Sequence, residues 1–167
     1  MDEHLQALQQ TLTQDIPITH SIGITAENYD NKGLVLKAPL IGNTNPKGTA
    51  FAGSINALLM LAGWGLIWLV LKELDVVGDI VIQNSSIDYL RPVIGDFAAI
   101  CYRPEQADID RMEQSLKKKG KARIELSAEI YQEDVVVVEF KGRYVIHQSK
   151  DAHSSLPLLS YIQQAIF

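Results

Sequence analysis

Residues 52–74 read AGSINALLMLAGWGLIWLVLKEL, and this stretch decides the fold. Every residue from 57 to 71 is apolar or glycine, and the polar residues Asn56 and Lys72 close the run at its two ends. The run is shorter than the ~20 residues that a membrane-spanning helix needs. A helix that is apolar on every side has to be covered by protein from several directions. We therefore predict a buried central helix over 52–74, and no membrane span.

The segments around this helix show the period of half-buried strands. In 121–132 apolar residues recur at every second position, which indicates a strand with one buried face; they are Ala122, Ile124, Leu126, Ala128 and Ile130. The predicted helices cover 3–12, 52–74 and 108–119, and the predicted strands cover 20–26, 34–38, 80–90, 96–103, 121–132 and 135–147. Strands joined by short turns pair antiparallel. The predicted fold is α+β, with a curved antiparallel sheet wrapped around one long helix, in a single domain over 1–167.

The composition of the chain disfavours one class of function and indicates the cellular compartment. The formal net charge of the 167 residues is −5, which disfavours nucleic-acid binding because phosphate backbones attract clustered positive charge. Cys101 is the one cysteine, so no internal disulfide forms, as is usual in a reducing compartment. The first residues, MDEH, contain neither the positive nor the apolar region of a signal peptide. We expect a cytoplasmic protein.

The segment before the helix, NTNPKGTAFAGS over 43–54, is the candidate for chemistry. The first amides of a helix have no acceptor inside the helix and lie at the positive end of its dipole. Small residues at Ala52, Gly53 and Ser54 would let a carbonyl approach these amides, which could then stabilise an oxyanion. The preceding asparagines could donate another hydrogen bond or hold a water molecule. The alternative is that Ser54 caps the helix and the segment is only a connection.

Two stretches resemble one family. The stretch 43–65, NTNPKGTAFAGSINALLMLAGWG, looks like the start of the central helix of hotdog-fold thioesterases, and 80–96, IVIQNSSIDYLRPVIGD, resembles the strand that follows it. The pattern is most similar to the thioesterase-like family of the YiiD C-terminal type, some members of which are fused behind an acetyltransferase domain. The resemblance covers about 15–147, and it implies a hotdog fold with an acyl-thioester site.

The resemblance also implies roles for individual residues. Hotdog thioesterases of a related kind place an asparagine seven residues before the oxyanion-donating amide, and Asn45 and Ala52 match that spacing. The acid that serves as general base in those enzymes falls at Met60, and a supporting serine or threonine falls near Ile82, so both are missing. The candidate catalytic residues are Asn45, Ala52, Gly53 and Asn84, with Asp88 as a further polar candidate on the same strand.

The candidate substrate-binding residues surround the helix start. They are Asn43, Lys47, Gly48, Thr49, Phe51, Ser54, Asn56, Met60 and Arg91. For the phosphates of coenzyme A, Lys47 and Arg91 compete with a basic cluster made of Lys117, Lys118, Lys119, Lys121 and Arg123. The alternative for that cluster is a solvated helix end, where cations meet the dipole favourably. The spacing of histidines and acids predicts no metal site, and the resemblance implies a coenzyme A thioester as substrate and no further cofactor.

The sequence leaves two main candidate functions and two less favoured ones. The first is a thioesterase that acts on acyl-coenzyme A or an acyl carrier, assisted by the helix amides. The alternative, favoured by the missing acid at Met60, is a non-catalytic module that binds or senses acyl thioesters. Less favoured are a hydroxyacyl dehydratase, which needs a histidine and an acid in the site, and an acetyltransferase, a name that could pass from fused relatives. We also expect a homodimer or homotetramer, because edge strands of one sheet need cover.

Overall fold

The structure is a computed structural model, and it describes residues 3–149. The predicted single domain over 1–167 extends beyond this range at both ends. The elements in chain order are α1 (Glu3–Asp15), α2 (Ile18–Ile22), β1 (Thr25–Asp30), β2 (Gly33–Ala38), α3 (Ala52–Glu73), β3 (Gly78–Tyr89), β4 (Phe97–Tyr102), α4 (Gln106–Lys119), β5 (Lys121–Gln132) and β6 (Val135–Gln148).

The strands form one antiparallel sheet in the order β1-β2-β4-β5-β6-β3, with α3 as the central helix. This confirms the α+β prediction of a curved sheet around one long helix. The alternation predicted for β5 is also confirmed, since its five apolar positions from Ala122 to Ile130 are all buried. The edge strands of the described sheet are β1 and β3, and β3 is the longer of the two, with 12 residues.

Glycines let α3 lie directly on the side chains of the sheet. A Cβ at Gly63 would lie 2.6 Å from Cζ of Tyr144, and a Cβ at Gly65 would lie 2.9 Å from a methyl group of Leu34. The hydroxyl of Tyr144 donates a hydrogen bond of 2.8 Å to the carbonyl of Met60. These contacts fix α3 over β6 and β2, and they set the position of the helix start.

The predicted strand over 20–26 is wrong over 20–24. The structure has the short helix α2 over Ile18–Ile22, and β1 begins at Thr25. Pro17 precedes the helix with φ −56°, a value already suited to a helix, and Gly23 ends it with φ +76° in the left-handed region. Ile22, Ile24 and Ala26 are all buried, so alternate burial continues across the junction of helix and strand and imitates a longer strand.

The chain covers α3 incompletely. Its residues Asn56, Ala57, Met60, Leu61, Trp64 and Trp68 are only half-buried. They recur at the spacing of one helix face, and we call them the open stripe of α3. By length and apolarity alone α3 could span a membrane, but 67% of its apolar window is buried inside the fold.

Candidate functional site

The start of α3 presents free backbone donors. Phe51 precedes the helix in an extended conformation, with ψ 129°, and its side chain forms no capping hydrogen bond. The first helical bond runs from the amide of Ile55 to the carbonyl of Phe51 over 3.1 Å. Within residues 3–149 no group accepts a hydrogen bond from the amides of Ala52, Gly53 or Ser54. Ser54 is the third residue of the helix and therefore does not cap it.

The side chain of Asn45 holds its own loop together. Its amide nitrogen donates to Oγ1 of Thr49 at 2.7 Å, and its oxygen accepts from the amides of Lys47 at 2.9 Å and Thr49 at 3.3 Å. The backbone of Asn45 also bonds to Thr49 and Gly48, and Gly48 has φ +78°. Asn45 thus shapes the turn that leads into α3. Lys47 is exposed on this turn.

Asn43 anchors the other end of the same loop. It is buried, and its amide nitrogen donates to the carbonyls of Ile22 and Pro39, each at 2.8 Å. Its own carbonyl accepts a hydrogen bond of 2.7 Å from the amide of Phe51. Asn43 therefore fixes the residue that precedes α3, and its amide donors are used within the fold.

Gly53 makes room for an aromatic ring. A Cβ at this position would lie 2.8 Å from Cζ of Phe51, and closer still to a neighbouring ring carbon. Phe51 is 54% exposed, so its ring lies over the first turn of α3 at the surface. The small residue predicted to admit a ligand thus also admits this ring, which borders the free amides.

Strand β3 lies beside the open stripe of α3, and we call the surface between these two elements the cleft. The hydroxyl of Tyr89 donates to the carbonyl of Ala52 at 3.1 Å, and the indole nitrogen of Trp64 donates to the carbonyl of Ile80 at 3.2 Å. Burial raises the pKa of Tyr89, so its hydroxyl remains a donor. Sequence reasoning did not select Tyr89 as a site residue, although a tyrosine belongs to the motif that carries the resemblance.

The structure does not bring Asn84 to this cleft. Asn84 pairs with Arg143, and Asp88 pairs with Glu139; all four residues are exposed. Cross-strand partners lie on the same side of a sheet. Asn84 and Asp88 therefore lie on the outer face, away from α3. Five residues of β3 face α3, because each of them pairs with a buried residue of β6. They are Ile80, Ile82, Ser85, Ile87 and Tyr89.

Arg91 lies near the helix start, and the basic cluster does not. The amides of Leu90 and Arg91 both donate to the carbonyl of Val137, at 2.9 Å and 3.1 Å, and Arg91 is exposed. The loop of Arg91 meets the loop of Lys47 where the amide of Ala50 donates to the carbonyl of Val93 at 2.8 Å.

The basic cluster lies at the end of α4 and the start of β5, and α4 packs on the other half of α3. Ile109 and Met112 of α4 lie with Ile67 and Val70 of α3 around one small apolar cavity. Lys117 forms an ion pair with Glu113 at 2.6 Å. This cluster is therefore better interpreted as a solvated helix end than as a phosphate-binding site at the start of α3.

Asn56 and Met60 lie on the open stripe, one and two turns inside α3. Met60 is half-buried, and its carbonyl accepts from Tyr144. The amide oxygen of Asn56 is shielded from solvent, and no donor within the described chain reaches it.

Cys101 is fully buried in β4, and burial raises the pKa of its thiol to about 12, as expected of a packing residue.

Residues 5–148 match the YiiD_C family, which is described as "Putative thioesterase (yiiD_Cterm)". A protein of unknown function from Chlorobaculum tepidum is 33% identical, with a TM-score of 0.83 over 86% of this chain and 94% of its own. A "putative thioesterase" from Shewanella oneidensis is also 33% identical, with a TM-score of 0.76 over 87% of this chain and 98% of its own. A "probable thioesterase" from Pseudomonas aeruginosa is 22% identical, with a TM-score of 0.75 over 86% of this chain and 95% of its own. These similarities confirm the hotdog fold.

Proposed function

Because the chain belongs to the YiiD_C family of thioesterase-like proteins, we propose that it hydrolyses acyl thioesters at the start of α3. The observation that carries this proposal is the set of three free amides at Ala52, Gly53 and Ser54, next to the cleft between α3 and β3. Amides that already point at the place where negative charge develops need no reorganisation during the reaction.

In this proposal the thioester oxygen lies against the free amides. Water attacks the carbonyl carbon, the amides stabilise the oxyanion, and the carbon–sulfur bond then breaks. The acyl group keeps the oxygen of the water and leaves as a carboxylic acid, and the sulfur takes up the other proton of the water and leaves as a thiol. Asn45 acts through the loop that it holds, because both ends of its side-chain amide are bonded to that loop.

The surroundings of the helix start suit the two ends of such a substrate. The apolar residues Met60, Leu61 and Trp64 of the open stripe would contact the acyl group. Lys47 and Arg91 are exposed on two loops that meet beside the helix start, and their charges would attract the phosphates of coenzyme A or of an acyl carrier arm. The substrate itself brings coenzyme A, so the proposal requires no resident cofactor.

A second candidate is a module that binds acyl thioesters without cleaving them. Met60 occupies the position at which the related hydrolases carry their acid, and a methionine cannot accept a proton from water. The free amides and the apolar stripe would then serve binding alone. Release of thiol separates the two candidates, because only the hydrolase produces it.

We further propose that the chain forms a homodimer, or a homotetramer built from such dimers, in the cytoplasm. Strand β3 is a 12-residue edge strand, and the open stripe of α3 beside it includes the half-buried Trp64 and Trp68. A second copy that covers both would close the cleft on its open side. Light scattering that finds only monomers at micromolar concentration would contradict this.

The amide of Ala52 can be removed without removing a side chain. Proline is favoured at the first position of a helix, and Phe51 already has the extended conformation that a residue before proline prefers. We expect Ala52→Pro to lower the turnover of acyl-coenzyme A by about 100-fold, as for the loss of one oxyanion donor. Thiol release is measured with short, long and aromatic acyl groups.

Two further variants serve as controls. Gln106→Pro places proline at the corresponding position of α4, where Glu105 is also extended, and should leave turnover unchanged. Ala52→Val adds bulk but keeps the amide. Equal turnover of Ala52→Pro and the wild type would show that this amide is not an oxyanion donor. If the wild type releases no thiol but binds the thioesters, the binding module is the function.

A further inference from the structure

Tyr89 connects the last residue of β3 to the first residue of α3. Its hydroxyl donates a hydrogen bond of 3.1 Å to the carbonyl of Ala52. The side chain faces α3 because the bulge between Ile82 and Asn84 reverses the faces of the strand that follows it. Bulges recur beside active sites, where they re-aim a side chain, so this contact between strand and helix calls for an explanation.

The first turn of α3 has little support from its own residues. Phe51, which precedes the helix, forms no capping hydrogen bond. Gly53 is the second residue of the helix, and glycine restricts the backbone less than any other residue. Helix ends without caps fray, so the bond from Tyr89 fixes a turn that its own sequence leaves loose.

The carbonyl that Tyr89 binds belongs to the same peptide unit as one of the free amides. A peptide unit is planar and joins the carbonyl of one residue to the amide of the next. The carbonyl of Ala52 and the amide of Gly53 therefore share one plane, and no group within residues 3–149 accepts from that amide. A donor on the carbonyl fixes this plane and polarises the peptide, which makes the amide a stronger donor.

Stability alone does not explain the hydroxyl of Tyr89. In an α-helix the carbonyl of Ala52 already accepts from the amide of Asn56, four residues later. Tyr89 is 46% exposed, so water would solvate its hydroxyl if the bond were absent. The bond thus contributes little to the free energy of unfolding, whereas it sets the direction of one amide.

We propose that Tyr89 is a positioning residue, which holds the peptide between Ala52 and Gly53 so that the amide of Gly53 points at the thioester oxygen. This inference rests on the proposed function for the place of the reaction, and it assigns the second free amide to the oxyanion. Tyr89 acts through the peptide and does not contact the substrate. The oxyanion exists only after water has attacked, so the loss of this support lowers kcat and leaves KM nearly unchanged.

The experiment compares the wild type with Tyr89→Phe, which removes the hydroxyl and keeps the ring. Initial rates of thiol release are measured over a range of acyl-coenzyme A concentrations, to give kcat and KM separately. We expect kcat to fall about tenfold, because the amide is weakened but not removed, and loss of a whole oxyanion donor costs about 100-fold. KM should stay within about twofold and Tm within about 2 °C of the wild-type values.

Tyr102→Phe is the matched control. Tyr102 is 39% exposed, and its hydroxyl donates to a carboxylate oxygen of Glu129 at 2.6 Å. It follows the buried Cys101 in β4 and therefore lies on the outer face of the sheet, away from α3. This variant loses the same atom from the same kind of side chain, and it should keep wild-type kcat and KM.

Backbone NMR spectra give a readout that does not depend on turnover. A hydrogen bond at a carbonyl changes the amide nitrogen of the same peptide unit. In Tyr89→Phe the nitrogen signal of Gly53 should therefore shift more than the signals of Ala52 and Ser54. In Tyr102→Phe the signal of Gly53 should stay in place.

The possible results separate this inference from the proposed function. Wild-type kcat in Tyr89→Phe overturns the inference and leaves the proposed function intact. A higher KM at unchanged kcat shows that Tyr89 contacts the substrate, and it overturns the inference as well. A wild type that releases no thiol overturns both.

A lower kcat has to be read together with the other measurements. If Tyr89→Phe also melts early or changes its oligomeric state in light scattering, Tyr89 is a general support of the fold and the inference is wrong. A lower kcat without the shift at Gly53 contradicts it too. A lower kcat with KM and Tm retained, together with a shifted Gly53 signal, supports the inference.

Discussion

Replacing Gly63 with alanine should destabilise the fold more than any ordinary change from glycine to alanine in a helix. The new Cβ would lie 2.6 Å from Cζ of Tyr144, and its hydroxyl oxygen is nearer still. Tyr144 is 1% exposed, so its ring has no free space to enter. If the ring moves, the 2.8 Å hydrogen bond from its hydroxyl to the carbonyl of Met60 is lost.

The size of the effect follows from three contributions. Overpacking of a filled core costs about 1–3 kcal/mol. Two buried polar groups that lose their hydrogen bond cost about 1–3 kcal/mol more. Alanine regains about 1 kcal/mol, because it is the better helix former. The free energy of unfolding should therefore fall by about 3 kcal/mol, and Tm by roughly 6–12 °C for a chain of this size.

Urea unfolding and thermal melts followed by circular dichroism measure both quantities. Gly95→Ala is the matched control, because its Cβ would lie 3.7 Å from Nε2 of Gln132, an ordinary contact. In a Tyr144→Phe background, Gly63→Ala should cost less, because the hydrogen bond is already absent while the clash with the ring remains. A Gly63→Ala variant that melts within about 1 °C of the wild type would refute this account of the packing.

Four other outcomes are expected. Asn45→Ala should weaken thiol release and lower Tm by a few degrees, since the turn before α3 loses its side-chain bonds; wild-type turnover and melting would contradict this. Gly53→Val should displace the ring of Phe51 and weaken acyl-coenzyme A binding more than it weakens folding, as calorimetry beside thermal melts would show. Met60→Asp should raise thiol release or leave it measurable, while lowering Tm, because it adds a base in a half-buried apolar stripe. The thiol of Cys101 should resist iodoacetamide at pH 8 in the folded protein and react once urea unfolds it, since a pKa of about 12 keeps it protonated.

The long helix and the later strands were predictable because each of their sequence patterns is compatible with only one kind of secondary structure. The apolar run of α3 is bounded by polar residues, and the strict alternation in β5 matches one buried and one exposed face. The junction at 20–26 was not predictable in this way. Period-two burial of Ile22, Ile24 and Ala26 continues across the end of α2, and the signals that separate helix from strand there are Pro17 and Gly23.

The placement of Asn84 fails for a different reason. Strict alternation along β3 from Ile80 and Ile82 puts Asn84 on the inner face. The pairing with β6 shifts between Ile82 and Asn84, where a bulge inserts one extra residue. A bulge reverses the faces of every residue that follows it in the strand. Ser85 and Tyr89 consequently face α3. The trace of the bulge in the sequence is a change of phase, since Ile80 and Ile82 are at even positions and Ile87 is at an odd one.

The asparagines before α3 show that polar residues of a motif can be bonded to the loop that carries them. Resemblance placed Asn45 as a residue that touches the thioester or a water molecule, whereas its side chain is bonded to Thr49 and Lys47 of its own turn. Asn43 is bonded in the same way to the surrounding chain, and its carbonyl holds the amide of Phe51. These bonds make the entry to α3 rigid without using the amides of residues 52–54. The polar side chains of Asn43 and Asn45 thus hold the backbone in place, and the groups left free for chemistry are the amides of residues 52–54, which the small residues at the predicted helix start already indicated.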